Sequence, residues 1–176
     1  HEAVQRESLA TRTSAGILDA STLGKIDIQG SDASEFLNRV YTNAWSKLGI
    51  GKCRYGLMLN EDGMVYDDGV TTRLNENHYI MTTTTGGAAN VMSKLEDYLQ
   101  TEWPELDVYL TSVTDHFATA TVGGPNSKKI LNKLIPDLDF SDENFPHMSF
   151  KEAMIGKIKC RVMRISFTGE LSYEIN

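Results

Sequence analysis

The sequence predicts an α+β fold, antiparallel sheets with packed helices. Three features carry this expectation. Short apolar runs with alternating character recur across residues 52–83 and again from 108 onward, separated by tight polar turns such as Asn60-Glu61-Asp62-Gly63 and Asn75-Glu76-Asn77. Segments with apolar residues at helical spacing fall between them without a regular strand–helix alternation. No internal repeat or low-complexity linker interrupts the pattern.

In chain order, residues 1–14 read as a weakly amphipathic helix carrying two Arg. Leu23 to Gln29 alternates through Ile26 and Ile28 and predicts a strand, broken by Gly30-Ser31. Asp32 with Glu35 has capping-box spacing, and Phe36, Leu37, Val40 and Tyr41 continue as a buried helical stripe. Asn43 to Gly51 is a turn-rich crossing. Two hairpins follow, 55–70 and 70–83, the second ending in Thr82 to Thr85 and Gly86-Gly87. A helix from about Ala88 to Glu102 carries Val91, Met92, Leu95, Tyr98 and Leu99 on one face, and Pro104 closes it.

Val108–Thr114 and Phe117–Val122 predict further strands. Gly123-Gly-Pro-Asn-Ser-Lys-Lys129 lacks phosphate-loop spacing and reads as a helix start, with Ile130, Leu131, Leu134 and Ile135 buried. Asp137 to Pro146 reads as an acidic, solvated loop. Lys157 to Phe167 predicts a long strand, turned by Thr168-Gly169 into Leu171–Ile175.

Composition narrows the function classes. The 176 residues suffice for one domain or two small ones with a real core. A formal net charge of −7 argues against nucleic acid or an anionic membrane as the main partner. No apolar run approaches the ~20 residues of a membrane helix, and no secretory signal is present. Cys53 and Cys160 stand far apart, as reduced thiols of a cytoplasmic protein would. His78, His116 and His147 form no i, i+4 pair, which speaks against a metal site. Neither a Gly-x-Ser-x-Gly elbow nor a dinucleotide glycine fingerprint occurs. The start without Met and the end inside a strand-like run suggest a piece of something longer.

The hairpin Tyr55 to Val70 holds the anomaly. Asp67-Asp68-Gly69 interrupts an apolar strand, although Asp and Gly are both depleted in strands. A Gly there suggests a bulge or a close backbone approach. With unbroken alternation, Asp68 shares the side of Met64, Tyr66 and Val70, where a carboxylate is costly unless hydrogen-bonded or employed. A two-residue turn places Tyr55 opposite Asp68; a Gly63 bulge places Gly56 there instead. A surface Asp pair capping backbone N–H groups is the competing account.

Arg54-Tyr-Gly-Leu-Met-Leu-Asn-Glu-Asp-Gly63 followed by Asp67-Asp68 resembles the signature of the folate-binding aminomethyltransferase family, whose type member is the glycine-cleavage T-protein. Asp19-Ala-Ser-Thr-Leu-Gly-Lys25, Phe36-Leu-Asn-Arg-Val-Tyr-Thr-Asn-Ala-Trp45, Thr82-Thr-Thr-Thr-Gly-Gly87, Glu96 to Trp103 and Ser166-Phe-Thr-Gly-Glu170 are similar to its sarcosine oxidase branch, in the tetrahydrofolate-binding half of the α subunit. The resemblance covers essentially the whole chain.

It implies a cloverleaf of three subdomains. Residues 1–50 plus 115–176 would form the first, 51–114 the inserted second, and a β-barrel beyond Asn176 the third. It implies capture of the methylene of an oxidised N-methyl amine as 5,10-methylenetetrahydrofolate, leaving glycine, while oxygen becomes hydrogen peroxide. Flavin (FAD/FMN), NAD and the other sarcosine oxidase subunits would be partners elsewhere in the complex.

By the same resemblance Asp68 is the catalytic carboxylate, and Tyr55, Thr84, Phe167 and Glu174 contact the folate. Glu174 would accept paired N–H donors from the pterin, with an edge-strand charge facing solvent as its bland alternative; Glu170 would serve the turn. Two departures stand out: Thr84 where the T-protein has Asn, and Phe167 where the family often has Tyr. Lys25, Lys47, Lys52 and Arg54 read as a solvated charged face. Glycine-cleavage aminomethyl transfer and dimethylglycine oxidation are alternative activities, and a non-catalytic folate-binding or subunit-interaction module is the alternative class.

Overall fold

Hairpins and strand pairing set the architecture. In the computed structural model, which describes residues 1–176, the elements run α1 (Glu2–Thr13), β1 (Gly16–Asp19), β2 (Gly24–Gln29), α2 (Ala33–Val40), β3 (Cys53–Leu59), β4 (Val65–Asn75), β5 (His78–Thr83), α3 (Ala88–Asp97), β6 (Tyr109–Ser112), β7 (Ala120–Gly123), α4 (Ser127–Leu134), β8 (Ser149–Ile155), β9 (Ile158–Arg164) and β10 (Ser172–Ile175). The strands form two five-stranded antiparallel sheets, ordered β1-β7-β10-β9-β8 and β3-β4-β5-β2-β6. The fold is α+β, as the hairpin pattern predicts.

The chain packs as two units, His1–Ser21 with Ala118–Asn176, and Thr22–Phe117. Residues 22–50, grouped by the sequence reading with the first segment, pack in the second unit. The reason is pairing: β2 runs between β5 and β6, and α2 buries Phe36 and Leu37 in the core of the same sheet.

The second unit gathers Ile26, Ile28, Phe36, Leu37, Trp45, Met58, Tyr79, Met81, Val91 and Leu95 into one buried cluster. The capping box at α2 does not form, because Asp32 makes no side-chain cap bond. Its Oδ2 instead accepts the Asp107 N–H at 2.9 Å, and Glu35 pairs with Arg39 one turn on. Lys25 is buried rather than solvated, its Nζ donating to the Leu23 carbonyl at 3.0 Å.

The first unit has its own core of Val122, Leu131, Ile135, Phe140, Phe145, Cys160, Val162 and Tyr173. Two expectations fail here. The loop 137–146 is solvated only in part: Asp137, Asp139, Asp142 and Glu143 are exposed, but Phe140 and Phe145 are buried anchors, with ring centroids 5.3 and 5.8 Å from Tyr173. Its acidic residues obscured two aromatic side chains worth several kcal/mol of burial together. Of the four apolar residues of the α4 stripe, Leu131 and the following Ile135 are buried, while Ile130 and Leu134 are exposed. A strand absent from the sequence reading, β8, pairs with β9 across a turn at Gly156, whose φ of +60° suits glycine.

Candidate functional site

The site begins with the turn between β3 and β4. Gly63 takes φ +80°, its N–H donating to the Asn60 carbonyl, while the Asn60 N–H bonds the Met64 carbonyl. That slip alone pairs Leu59 with Val65. A second slip follows at once: Met58 pairs with Asp67, leaving Tyr66 as a bulge. Together they place Leu57 opposite Asp68, Gly56 opposite Gly69 and Tyr55 opposite Val70. Neither register read from the sequence is realised, because each allowed at most one slip.

The bulge also reverses the expected faces. Asp67, not Asp68, lies on the buried side, opposite the buried Met58 and 4% exposed. Asp68 lies on the more open side, half-buried. There the Tyr55 hydroxyl, diagonal to it across the ladder, donates to Asp68 Oδ2 at 2.8 Å. Diagonal neighbours are within reach of a long aromatic side chain. This hydrogen bond first, then lost solvation and the Asp68 charge, hold the Tyr55 phenol above its ordinary pKa. The Tyr55 backbone is tied down in turn, its carbonyl accepting the Asn43 side-chain amide.

Asp67 has different company. Its Oδ1 accepts the Thr84 hydroxyl at 2.6 Å and its Oδ2 the Thr84 N–H at 3.2 Å. The Thr84 hydroxyl accepts in turn the N–H of Gly87, at the start of α3, at 3.0 Å. A Cβ on Gly87 would stand 2.4 Å from Asp67 Oδ1, so glycine makes room for the carboxylate. Gly69 is the close approach its position suggested: a Cβ there would stand 1.8 Å from the Thr82 carbonyl oxygen of β5.

Tyr41 is a neighbour the sequence reading missed. It follows α2, bridges to Met58 on the outer edge of β3, and packs edge-to-face on Trp45 at 6.0 Å. Burial first, then the charges of Asp67 and Asp68, push its phenol well above the usual range, so it stays a neutral hydroxyl beside the pair. Its apolar helical spacing had marked it as plain core.

The first unit holds the other two residues singled out from the sequence. Glu174 is buried on β10, the central strand of its sheet, paired with Thr121 and Met163. It is not a solvent-facing edge charge. Phe167 presents its ring to solvent at 91% exposure. Glu170 pairs with Arg12 of α1. The Thr168 hydroxyl beside it and the Arg12 charge hold its carboxyl below the ordinary range. No three His, Cys, Asp or Glu side chains converge to hold a metal ion, and no helix is long and apolar enough to cross a membrane.

Two antiparallel sheets with this carboxylate hairpin define a class. The profile of the GCVT N-terminal domain matches residues 1–176, and the chain belongs to that family. Within it, the chain is 57% identical to the sarcosine oxidase subunit alpha of Corynebacterium sp. (strain P-1) over 174 residues, 98% of this chain and 18% of that protein. It is 33% identical to the aminomethyltransferase of Listeria monocytogenes serotype 4a (strain HCC23) over 177 residues, 98% of this chain and 46% of that one. The crystal structure of glycine cleavage system aminomethyltransferase T from Bartonella henselae superposes with a TM-score of 0.83 at 27% identity, covering 98% of this chain and 44% of that one. The chain thus spans less than half the length of these relatives.

Proposed function

We propose that this chain is the folate-dependent one-carbon transfer region of a sarcosine oxidase of the α-subunit type, with Asp68 as its catalytic carboxylate. The supporting observation is the Asp68–Tyr55 pair: a half-buried carboxylate on the open face of its sheet, held by one phenolic donor at 2.8 Å. The higher identity to the oxidase subunit than to the aminomethyltransferase favours the oxidase branch over glycine cleavage.

The residues present suit a reduced pterin. Phe167 offers an uncovered ring for stacking, without the hydroxyl of a Tyr. Glu174 offers a carboxylate of the kind that accepts paired N–H donors. Thr84 has its single donor committed to Asp67, which leaves its methyl and one lone pair for a ligand. When bound, tetrahydrofolate supplies the secondary amine that captures a methylene group. Asp68 would orient that amine, accept its proton and stabilise cationic charge on the incoming carbon. Tyr55 would hold the carboxylate in one rotamer while its own proton stays in place, since its pKa is raised. Flavin, NAD and the remaining subunits would be held by other parts of the protein.

Asp68→Ala in the full-length protein tests the reading. We expect folate-dependent methylene transfer to fall by about 10²–10⁴-fold, the usual range for a positioned acid–base group. Oxidation of the N-methyl amine should persist, with formaldehyde replacing methylenetetrahydrofolate as product. Equal loss of both reactions would refute the role, and an unchanged product would leave a folate-binding or interaction module.

A further inference from the structure

We infer that Asp67 and Thr84 form a positioning clasp that aims the Asp68 carboxylate; the inference rests on the function proposed for Asp68. Three features of the second unit carry it. First, the bulge at Tyr66 breaks the β3–β4 ladder one residue before Asp67, and a bulge leaves the strand locally free to bend. Second, the β4–β5 ladder has its first paired residues at Thr71 and Met81. Between Asp67 and Val70 the ties toward β5 and the residue after it come from side chains. Thr82 Oγ1 accepts the Val70 N–H at 3.0 Å, and Thr84 meets both oxygens of Asp67. Third, those Thr84 bonds are braced, since Thr84 Oγ1 also accepts the Gly87 N–H where α3 begins.

The consequence for Asp68 is geometric. A carboxylate gripped at both oxygens by one residue has its rotamer fixed, and the peptide that follows is fixed with it. That peptide joins Asp67 to Asp68. Successive side chains leave a strand on opposite faces, so locking Asp67 inward sets Asp68 outward, where Tyr55 reaches it. A buried Asp has no apolar benefit to offer here. An apolar side chain at 67 would leave both the Thr84 N–H and the Thr84 hydroxyl without their acceptor, and would let the bulged segment turn. Asp67 touches no reacting group in this account; it is a positioning residue acting through its neighbour.

Two readouts on the full-length protein test this. In crystal structures of Asp67→Ala and Thr84→Val, the 2.8 Å Tyr55–Asp68 contact should be lost or lengthened, and Thr84→Ser should restore it. In kinetics, Asp67→Ala and Thr84→Val should each lower kcat for folate-dependent transfer by about 10²-fold, the effect of a misplacement near 1 Å. KM for tetrahydrofolate should change little in Asp67→Ala, which removes no proposed ligand contact, and Thr84→Ser should recover most of the rate. In the Asp68→Ala background Asp67→Ala should cost nothing further, since its effect passes through the missing carboxylate.

An intact contact with transfer within twofold of wild type overturns the clasp, as does full additivity with Asp68→Ala. Should Asp68→Ala itself leave transfer untouched, the proposed function fails instead. The crystallographic contact then still decides whether the clasp aims Asp68. Where Asp67→Ala does not fold, the Thr84→Val and Thr84→Ser pair carries both readouts.

Discussion

Two glycines of one hairpin show how differently the same residue is required. Gly63 takes φ +80° in open space, so an alanine there meets no atom and costs only the left-handed backbone penalty, about 1 kcal/mol. At Gly69 the added carbon would stand 1.8 Å from the Thr82 carbonyl oxygen. Backbone cannot swing aside as a side-chain tip does, so β4 must leave β5. Gly69→Ala should cost about 2–4 kcal/mol, several times the cost of Gly63→Ala, by urea unfolding of the two variants side by side. Equal costs would show that the strands have slack between them. Glycine near the Asp pair was legible as a bulge or a close approach, and it is the approach that holds at Gly69. The bulge sits at Tyr66, a residue type with no signature for it. That is why the register and the buried member of the Asp pair could not be read from the sequence: a bulge changes which face every later residue takes.

At the level of elements, α2 is fastened by a device other than the one its spacing suggested. Asp32 Oδ2 accepts the Asp107 N–H at 2.9 Å and the Asp32 N–H bonds the Asp107 carbonyl at 3.2 Å. Asp107 Oδ2 accepts the Ser31 hydroxyl at 2.9 Å and the Ser31 N–H at 3.2 Å. Gly30, at φ +136°, lets the Asp107 carbonyl approach so closely that a Cβ would stand 2.0 Å from it. The bonds from Ser31, its hydroxyl first, hold the Asp107 carboxyl below the ordinary range.

A pKa lowered by folding contributes stability that is present above the unfolded value, near 3.9, and is lost as pH falls through the folded one. Asp107→Asn should therefore lower the urea midpoint by a constant amount above about pH 5, and the gap to wild type should close below about pH 4. A gap unchanged at pH 3 would mean that the Asp107 charge contributes nothing. Sequence spacing found the helix and its buried face, because Phe36, Leu37, Val40 and Tyr41 recur at helical intervals. It could not find this fastening, whose partners lie 75 residues apart.

For the whole chain, alternation and turn residues revealed the antiparallel class and most strands, since those signals are local. What pairs with what is not local. Residues 22–50 pack with the second unit because β2 takes its neighbours from segments about fifty residues or more downstream. Of the site, Asp68 and Tyr55 were singled out from the sequence, but as direct opposites in a register that is not realised, and the clasp on Asp67 depends on Thr84 arriving from the end of β5.

The same non-locality hides the first unit's core, where a polar loop supplies Phe140 and Phe145 to Tyr173. Phe145 is fully buried, and truncating such a ring removes its transfer energy and leaves a cavity its neighbours only partly fill. Phe145→Ala should cost about 3–5 kcal/mol. The two cores share no residue, so amide protection measured by hydrogen exchange should fall in β9 and β10 while β2, β4 and β5 keep theirs. Protection lost evenly from both sheets would mean that they unfold as one body. A cost under about 1 kcal/mol would mean that the loop 137–146 is a surface after all, as its acidic composition suggests.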